Sequence, residues 1–213
     1  MVTSTISLAE QISERLQTEP IVRVSATLDE FWEVVDEFGE DPELDLEYIG
    51  GKIKAQTGGA IDNHELMVIN LGRHLATAFD NFPHVRVMGS NKTIYIPACQ
   101  TAVKPDLVVM REPSQLFPRK GQEPGITNPY VVVEIFSDST QKDDRGEKLR
   151  CYKLLESLQH IIYLDPFKQY VSVYSKNGDV YHWSVVDYYS LDEIITLGEV
   201  ELSIKDIYHK VSL

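Results

Sequence analysis

The sequence predicts an α/β fold in which helices cover a β-sheet, and two observations carry this prediction. The first is the run Tyr130–Phe136, which has an aromatic residue at each end and four β-branched residues. Such a run is typical of a central strand that is buried on both faces. The second is a pair of segments, 62–81 and 144–158, whose apolar residues recur at helical spacing and predict helices packed on the sheet.

Start and stop signals define the other elements. A capping box of Thr27 and Glu30 starts one helix, and Asp62 caps the longest helix with Glu65 three residues on. Four prolines between residues 111 and 129 indicate a loop. In the first half of the chain we predict helices 7–17 and 27–38, a hairpin of 44–49 and 52–55 around Gly50-Gly51, helix 62–81, and strands 85–89 and 93–96. In the second half we predict strands 103–110 and 130–136, helix 144–158 and strand 160–164. A hairpin of 170–175 and 180–185 around a two-residue Asn177-Gly178 turn follows, and a closing strand and short helix lie within 199–209.

Size and composition limit the class of protein. The 213 residues contain no internal repeat and no linker, so we predict a single domain over 1–213 with a weakly patterned N-terminal segment, 1–24. No run approaches the ~20 apolar residues of a membrane span, and the N-terminus lacks the pattern of a signal peptide. Cys99 and Cys151 have no metal-type spacing, which argues against a structural zinc site and indicates a reducing, cytoplasmic setting.

The formal charge of −13 is a local feature. Residues 29–47 carry ten acids and no base, and the rest of the chain has 23 acids against 20 bases. The overall charge therefore does not exclude a nucleic-acid partner. A charge run of this kind is usually a solvated face, and it could also contact a partner or keep DNA away from a site.

Glu134 is the one ionisable residue within the buried run apart from the terminal tyrosine. A carboxylate there needs a cation, a metal or donated hydrogen bonds to compensate its burial. A second acid, Asp106, opens another apolar run, Leu107–Met110, directly after Lys104-Pro105. Two acids at the rim of one sheet could hold Mg²⁺, which prefers oxygen ligands. A structural ion pair for Glu134 and a turn residue after proline for Asp106 are the simpler alternatives.

Lys148 lies on the helix predicted after the central strand. It is four residues from Tyr152, at the edge of the face that packs on the sheet, so its long side chain can reach inward. A lysine there could orient or deprotonate a metal-bound water, or offset phosphate charge. Taken alone, an exposed helix lysine is the simpler interpretation. The hydroxyl-rich segment 137–140 could contact phosphate or cap the helix.

Several short motifs occur in a fixed order: Lys104-Pro105-Asp106, Val133-Glu134-Ile135-Phe136-Ser137, Ser139-Thr140, Asp144-Arg145-Gly146-Glu147-Lys148, Tyr152 and Tyr163-Leu164-Asp165-Pro166. A hairpin at 46–53, His64 and the segment 202–207 accompany them. Together they resemble the Uma family of bacterial restriction-endonuclease-like proteins, within the PD-(D/E)XK nuclease superfamily. The resemblance covers most of the chain and implies a restriction-endonuclease-like mixed β-sheet flanked by helices, with an N-terminal helix and hairpin as elaborations.

The resemblance implies an endonuclease that cleaves nucleic acid and depends on Mg²⁺, with Mn²⁺ as an alternative ion. DNA is expected as its substrate in preference to RNA. Asp106, Glu134 and the Ile135 carbonyl match the metal ligands. Phe136 stands where the superfamily pattern has a lysine, which makes Lys148 the candidate for that lysine's catalytic role. Glu47 and His64 are further catalytic candidates in a supporting role. Glu65 is an alternative candidate for the same role.

A second hypothesis is a catalytically inactive module that keeps the fold and binds nucleic acid or another protein. Stability that rises with Mg²⁺ or Mn²⁺ would favour the enzyme, because a ligand that binds only the folded state stabilises it. The sequence shows no zinc finger, helix-turn-helix pattern or basic arm for reading bases. A homodimer is the expected assembly only because symmetric dimers are the commonest.

Overall fold

The computed structural model describes residues 6–39, 41, 44–58, 61–119, 125–136 and 144–213, with the backbone alone for 144 and 145. The hydroxyl-rich segment 137–140 lies outside the described residues. The helices are α1 (Leu8–Leu16), α2 (Leu28–Phe38), α3 (Asp62–Ala78), α4 (Leu149–Tyr152) and α5 (Ile204–Ile207). The strands are β1 (Ile21–Ser25), β2 (Leu44–Ile49), β3 (Lys52–Thr57), β4 (Val85–Gly89), β5 (Ile94–Ile96), β6 (Thr101–Val103), β7 (Leu107–Arg111), β8 (Pro129–Ile135), β9 (His160–Leu164), β10 (Val171–Lys176), β11 (Trp183–Tyr188), β12 (Ile194–Leu197) and β13 (Val200–Ser203).

The described strands form two sheets and a separate hairpin. The five-stranded sheet has the order β1-β3-β2-β6-β5, and the six-stranded sheet has the order β11-β10-β9-β8-β7-β4. All neighbours in the six-stranded sheet are antiparallel except β8 and β9, which are parallel. Parallel neighbours need a crossover connection, and this one carries α4. The predicted mixed α/β fold with flanking helices is confirmed.

Strand β8 is buried on both faces, as predicted. Val131 and Val133 pack in an apolar cluster with residues of α3, the β12–β13 hairpin and α5. Val132 faces the opposite side, in a cluster that includes Tyr152. Because side chains alternate along a strand, Glu134 belongs to this second face. The predicted pairing of the 103–110 and 130–136 regions is confirmed by the β7–β8 ladder.

The strand predicted over 103–110 is two strands in different sheets. Strand β6 belongs to the five-stranded sheet and β7 to the six-stranded sheet, and residues 104–106 cross from one to the other. Pro105 explains the break, because it has no N–H to donate to a strand ladder. The crossing places Asp106 directly before β7, between the two sheets.

The helix predicted over 144–158 is shorter and irregular. A turn of π-helix over Asp144–Lys148 contains Gly146 with non-helical φ and ψ of −97° and −106°, and α4 follows it for one turn. Beyond α4, the N–H of Leu155 donates to the Tyr152 carbonyl and that of Leu158 to the Leu155 carbonyl. Both leucines are buried, so tight turns replace the last helical turns and lead the chain into β9.

Other predicted boundaries were right or nearly so. Helices α1 and α2 begin at capping boxes, that of α2 formed by Thr27 and Glu30 as predicted. Helix α3 starts at Asp62, but its cap is Ile61 without a side-chain hydrogen bond, so Asp62 is not the cap. The glycines of the β2–β3 turn both have positive φ. Within the described chain, no helix combines the length and apolar character needed to cross a membrane.

The hairpin of β10 and β11 has a longer connection than the two-residue turn predicted at Asn177-Gly178. The ladder ends with Lys176 paired to Trp183, which leaves six residues between the strands. The Asp179 carboxylate accepts a hydrogen bond from the Tyr181 N–H at 2.9 Å. This side-chain bond competes with the strand ladder and stabilises the wider loop.

The two cysteines are joined. Cys99, at the end of a 3₁₀ turn between β5 and β6, forms a disulfide with Cys151 of α4. The sequence had pointed to a reducing setting on the basis of these residues. Because the structure shows these cysteines joined in a disulfide, they no longer support a reducing setting, and the cytoplasmic location stays a prediction.

Candidate active site

The predicted site residues lie in two adjoining groups where the two sheets meet. One group surrounds Glu134 of β8 and includes Lys148 and Glu47. The other pairs Asp106 with His64 of α3. The structure therefore brings together residues from both sheets, from α3 and from the turn before α4.

Glu134 is compensated by a cation and a donated hydrogen bond. Lys148 Nζ lies 2.8 Å from Glu134 Oε1, and the Tyr152 hydroxyl donates to the same oxygen at 2.7 Å. All three side chains are buried. Burial and the neighbouring Glu134 carboxylate raise the pKa of Tyr152 well above its usual value, so its hydroxyl remains a donor. The interpretation of Lys148 as an exposed surface lysine is wrong.

Glu47 holds Lys148 from the opposite side. Its Oε1 lies 2.8 Å from Lys148 Nζ and accepts a hydrogen bond from the Lys104 backbone N–H at 3.1 Å. Its Oε2 lies 3.4 Å from Lys54 Nζ. Burial alone would raise the pKa of Glu47, but the two lysine charges and the hydrogen bonds lower it overall. Glu47 therefore stays ionised and keeps a positive charge fixed beside Glu134.

Asp106 connects directly to the peptide that follows Glu134. Its Oδ2 accepts a hydrogen bond from the Ile135 N–H at 2.6 Å. In a strand, the N–H and C=O of one residue point to the same side, so the Ile135 carbonyl also lies on the Asp106 side of β8. Phe136, where the superfamily pattern has lysine, is instead buried and stacks on Tyr163 with ring centroids 5.3 Å apart.

His64 supports Asp106 from the first turn of α3. Its Nε2 lies 3.1 Å from Asp106 Oδ1, and its Nδ1 lies 3.6 Å from Glu65 Oε1. Burial would lower the pKa of His64, but the two carboxylates raise it overall. Protonation therefore strengthens its contact with Asp106. Of the two competitors, His64 reaches this acid, whereas the Glu65 side chain is mostly exposed.

Two residues contact the site although the sequence did not predict such contacts for them. Tyr152 was assigned to packing, although it shares a helical face with Lys148 and reaches the same carboxylate. Asp45 lies two residues before Glu47 on β2, and its carboxylate is 3.8 Å from Lys104 Nζ. Burial and the Glu47 charge raise the pKa of Asp45 to about 6. The period of two along a strand is the signal that could have found Asp45.

The ligand set predicted for a metal consists of two carboxylates and one carbonyl oxygen. Such a set fits Mg²⁺, which binds through one or two carboxylates and keeps several waters. Within the described residues, no group of three or more His, Cys, Asp or Glu side chains is arranged to hold a metal ion. The positive charge that the structure does hold at Glu134 is the Lys148 ammonium, which lies between Glu134 and Glu47.

Comparisons with known proteins concern the family and the fold of the chain. Residues 28–205 match the model of the Uma2 family, described as "Putative restriction endonuclease". Two uncharacterized proteins of Synechocystis sp. (strain ATCC 27184 / PCC 6803 / Kazusa) are similar. The first, slr1290, is 30% identical over 148 residues, which cover 70% of this chain and 74% of slr1290. The second, sll1609, is 27% identical over 133 residues, which cover 62% and 73%.

A solved structure shares the fold. It is the crystal structure of a "putative nuclease belonging to DUF820" from Anabaena variabilis ATCC 29413. The match has a TM-score of 0.66 at 22% identity and covers 85% of this chain and 97% of the other. At this identity the likeness concerns the fold alone.

Proposed function

The chain belongs to the Uma2 family of restriction-endonuclease-like proteins, and from this premise we propose that it hydrolyses phosphodiester bonds of nucleic acid, DNA before RNA. One observation carries the proposal. The Asp106 carboxylate is hydrogen-bonded to the peptide N–H that joins Glu134 to Ile135. Asp106, directly before β7, therefore lies beside the peptide that follows Glu134 of β8 at the rim of the six-stranded sheet, and this supports a site with two acids.

Asp106, Glu134 and the Ile135 carbonyl would hold Mg²⁺, or Mn²⁺ in its place. Their oxygen atoms are the ligand type that these ions prefer. When bound, such an ion lowers the pKa of a water molecule and offsets negative charge on the phosphate. His64 keeps Asp106 oriented through its contact with Oδ1.

Lys148 carries the positive charge that the superfamily pattern supplies from a position two residues after Glu134. Its ammonium reaches Glu134 from the turn before α4 and is held there by Glu47. In this position it orients the attacking water by hydrogen bonding and offsets charge that develops on the phosphate. Glu47 acts through Lys148 and is a positioning residue.

The direct test is cleavage of plasmid DNA, single-stranded DNA and structured RNA with Mg²⁺, Mn²⁺ or EDTA. We expect cleavage that needs a metal ion and is lost in Asp106→Asn, which keeps the shape of the side chain and its ability to accept a hydrogen bond. Asp192→Asn is the matched control, because Asp192 is exposed on the loop before β12. Equal cleavage by the wild type and Asp106→Asn, or cleavage in EDTA, would contradict the proposal.

A second candidate function is an inactive module that binds nucleic acid or protein. It is favoured by the close ion pairs of Lys148, which compensate Glu134 and Glu47 without any metal. Glu134→Gln separates the candidates. If Glu134 serves a metal, Mg²⁺ stabilises the wild type and not this variant. If the ion pair is purely structural, the variant is destabilised and Mg²⁺ affects neither protein.

A further inference from the structure

The Cys99–Cys151 disulfide links the two parts of the molecule that supply the Glu134 group. On one side, Cys99 leads into β6, where Ala102 pairs with Tyr48 of β2, next to Glu47. On the other side, Cys151 precedes Tyr152 and follows Lys148 by three residues on the same helical segment. The Cα atoms of the two cysteines lie 5.8 Å apart, although the residues are 52 apart in sequence.

The segment that carries Lys148 and Tyr152 has little helical structure of its own. Helix α4 has four residues, and the π-helical turn before it contains the non-helical Gly146. A helix this short is unstable without tertiary contacts. The positions of Lys148 and Tyr152 therefore depend on what holds this segment, and the disulfide is its covalent attachment to the five-stranded sheet.

We propose that Cys99 and Cys151 form a thiol–disulfide site that regulates the metal site, so that the oxidised protein binds metal tightly and the reduced protein binds it weakly. The inference rests on the proposed function of Asp106 and Glu134. With the bond intact, Tyr152 and Lys148 are held against Glu134 before any metal arrives. Pre-organisation of this kind increases affinity because less conformational freedom is lost on binding.

The two sulfur atoms differ in access, which defines the route of reduction. Cys151 is fully buried, whereas Cys99 is only partly buried and has exposed neighbours on both sides. A thiolate of a dithiol reductant attacks Sγ of Cys99, the S–S bond breaks, and Cys151 leaves as a thiolate that takes up a proton. The second thiol of the reductant then displaces Cys99, so the dithiol is oxidised by two electrons and both cysteines become thiols.

The proposal would also reconcile the disulfide with the predicted cytoplasmic location. Disulfides in reducing compartments are usually transient and act in catalysis or redox sensing. With the bond intact, Cys151 lies in the apolar cluster and its Sγ is 3.9 Å from the Thr101 hydroxyl oxygen, so a free thiol at this position would have a polar neighbour. The core therefore accommodates the free thiol, while the covalent link between α4 and the turn that joins β5 to β6 is lost on reduction.

The test compares oxidised wild type with wild type reduced by a phosphine, and uses Mn²⁺ alone as the probe. Alkylation and mass spectrometry first establish the thiol state of each sample. Calorimetry then gives the Kd for Mn²⁺, and amide hydrogen exchange follows the peptide 144–155 without metal. We expect reduction to weaken Mn²⁺ binding by about tenfold, the size seen when groups that orient metal ligands are lost, and to accelerate exchange in this peptide.

The variant Cys99→Ser provides the control. It should have the weak Kd and fast exchange of the reduced wild type, and the phosphine should change neither. Unchanged Kd and exchange on reduction of the wild type, or tighter binding after reduction, would overturn the proposal, as would free thiols in protein exposed to oxidant. If oxidised wild type does not bind Mn²⁺ at all, the proposed function fails, and the exchange data alone then decide whether the disulfide holds the helix segment.

Discussion

The two faces of β8 differ in what they bury. On one face, Val131 and Val133 pack in an apolar cluster with α3 and the β12–β13 hairpin. On the other face, Val132 packs in a second apolar cluster, and Glu134 forms an ion pair with Lys148. The first face gains free energy from burial of hydrocarbon, and its side chains need only fit. The second face buries an ionised group, which is tolerated because a cation and a hydroxyl donor meet it. The face of the strand that is costly to bury is thus the one at which the proposed metal ligand Glu134 lies.

The largest effect should come from removal of the cation on the charged face. Lys148→Ala leaves Glu134 and Glu47 buried with less compensation, so we expect a loss of about 4 kcal/mol in the free energy of unfolding. Urea denaturation at neutral pH measures it. A loss below about 1 kcal/mol would mean that water enters this cluster freely, and the contrast between the two faces of β8 would disappear.

A somewhat smaller effect is expected from a cavity on the apolar face. Leu71 of α3 is fully buried in the cluster that covers Val131 and Val133, and Leu71→Ala should cost about 3 kcal/mol. In contrast to changes at Glu134, it should leave the Kd for Mn²⁺ unchanged at temperatures where the variant is folded. Denaturation and calorimetry on the same sample check both parts, and a weakened Kd would show that the faces are not independent.

The next effect concerns the hydroxyl donor to Glu134. Tyr152→Phe keeps the ring but removes a hydrogen bond to a charged oxygen, which should cost about 2 kcal/mol. Because Tyr152 orients a proposed metal ligand, the Kd for Mn²⁺ should also rise by about tenfold. The affinity change distinguishes a positioning role from a purely structural one, since a structural role would alter only the denaturation midpoint.

A buried histidine near β8 whose pKa is lowered by burial should give a pH effect of similar size. His160 of β9 pairs with Val131, and burial lowers its pKa to about 4. The unfolded chain then binds more protons than the folded protein between pH 4 and pH 6.5, so stability falls as the pH falls through this window. Between pH 7 and pH 5 the histidine should account for about 2 kcal/mol.

The variant His160→Gln isolates this contribution. It removes the titrating group while keeping a polar side chain near Ser175, whose Oγ lies 2.9 Å from His160 Nδ1. The free energy of unfolding of the variant should depend on pH less steeply than that of the wild type between pH 7 and pH 5. Parallel curves for the two proteins would show that His160 does not control acid stability.

The smallest effect is expected at Lys153, one residue beyond Tyr152. Its ammonium lies 4.6 Å from the centroid of the Tyr174 ring and is only partly buried. Lys153→Ala should cost about 0.5 kcal/mol and leave metal binding intact. The comparison with Lys148→Ala uses the same residue type on the same segment, so a large loss at Lys153 would undermine the assignment of the charged cluster to Lys148.

The sequence by itself determined much of the local structure and singled out the two acids Asp106 and Glu134. Capping boxes, the Gly50-Gly51 turn and the doubly apolar run around Glu134 are signals carried within a few residues, and the structure follows them. An acid in a strand of this kind demands compensation wherever the strand lies. Asp106 was identified for a related reason, because it opens a neighbouring apolar run.

Only the tertiary structure decided what compensates these acids. Whether Lys148 points into solvent or between Glu134 and Glu47 depends on how the five-stranded sheet docks against the crossover after β8, and no periodicity in the sequence encodes that contact. The same holds for the division of 103–110 between two sheets and for the Cys99–Cys151 bond. Local signals specify which residues must be buried, whereas the partners that make burial tolerable come from distant segments and are defined only when those segments pack together.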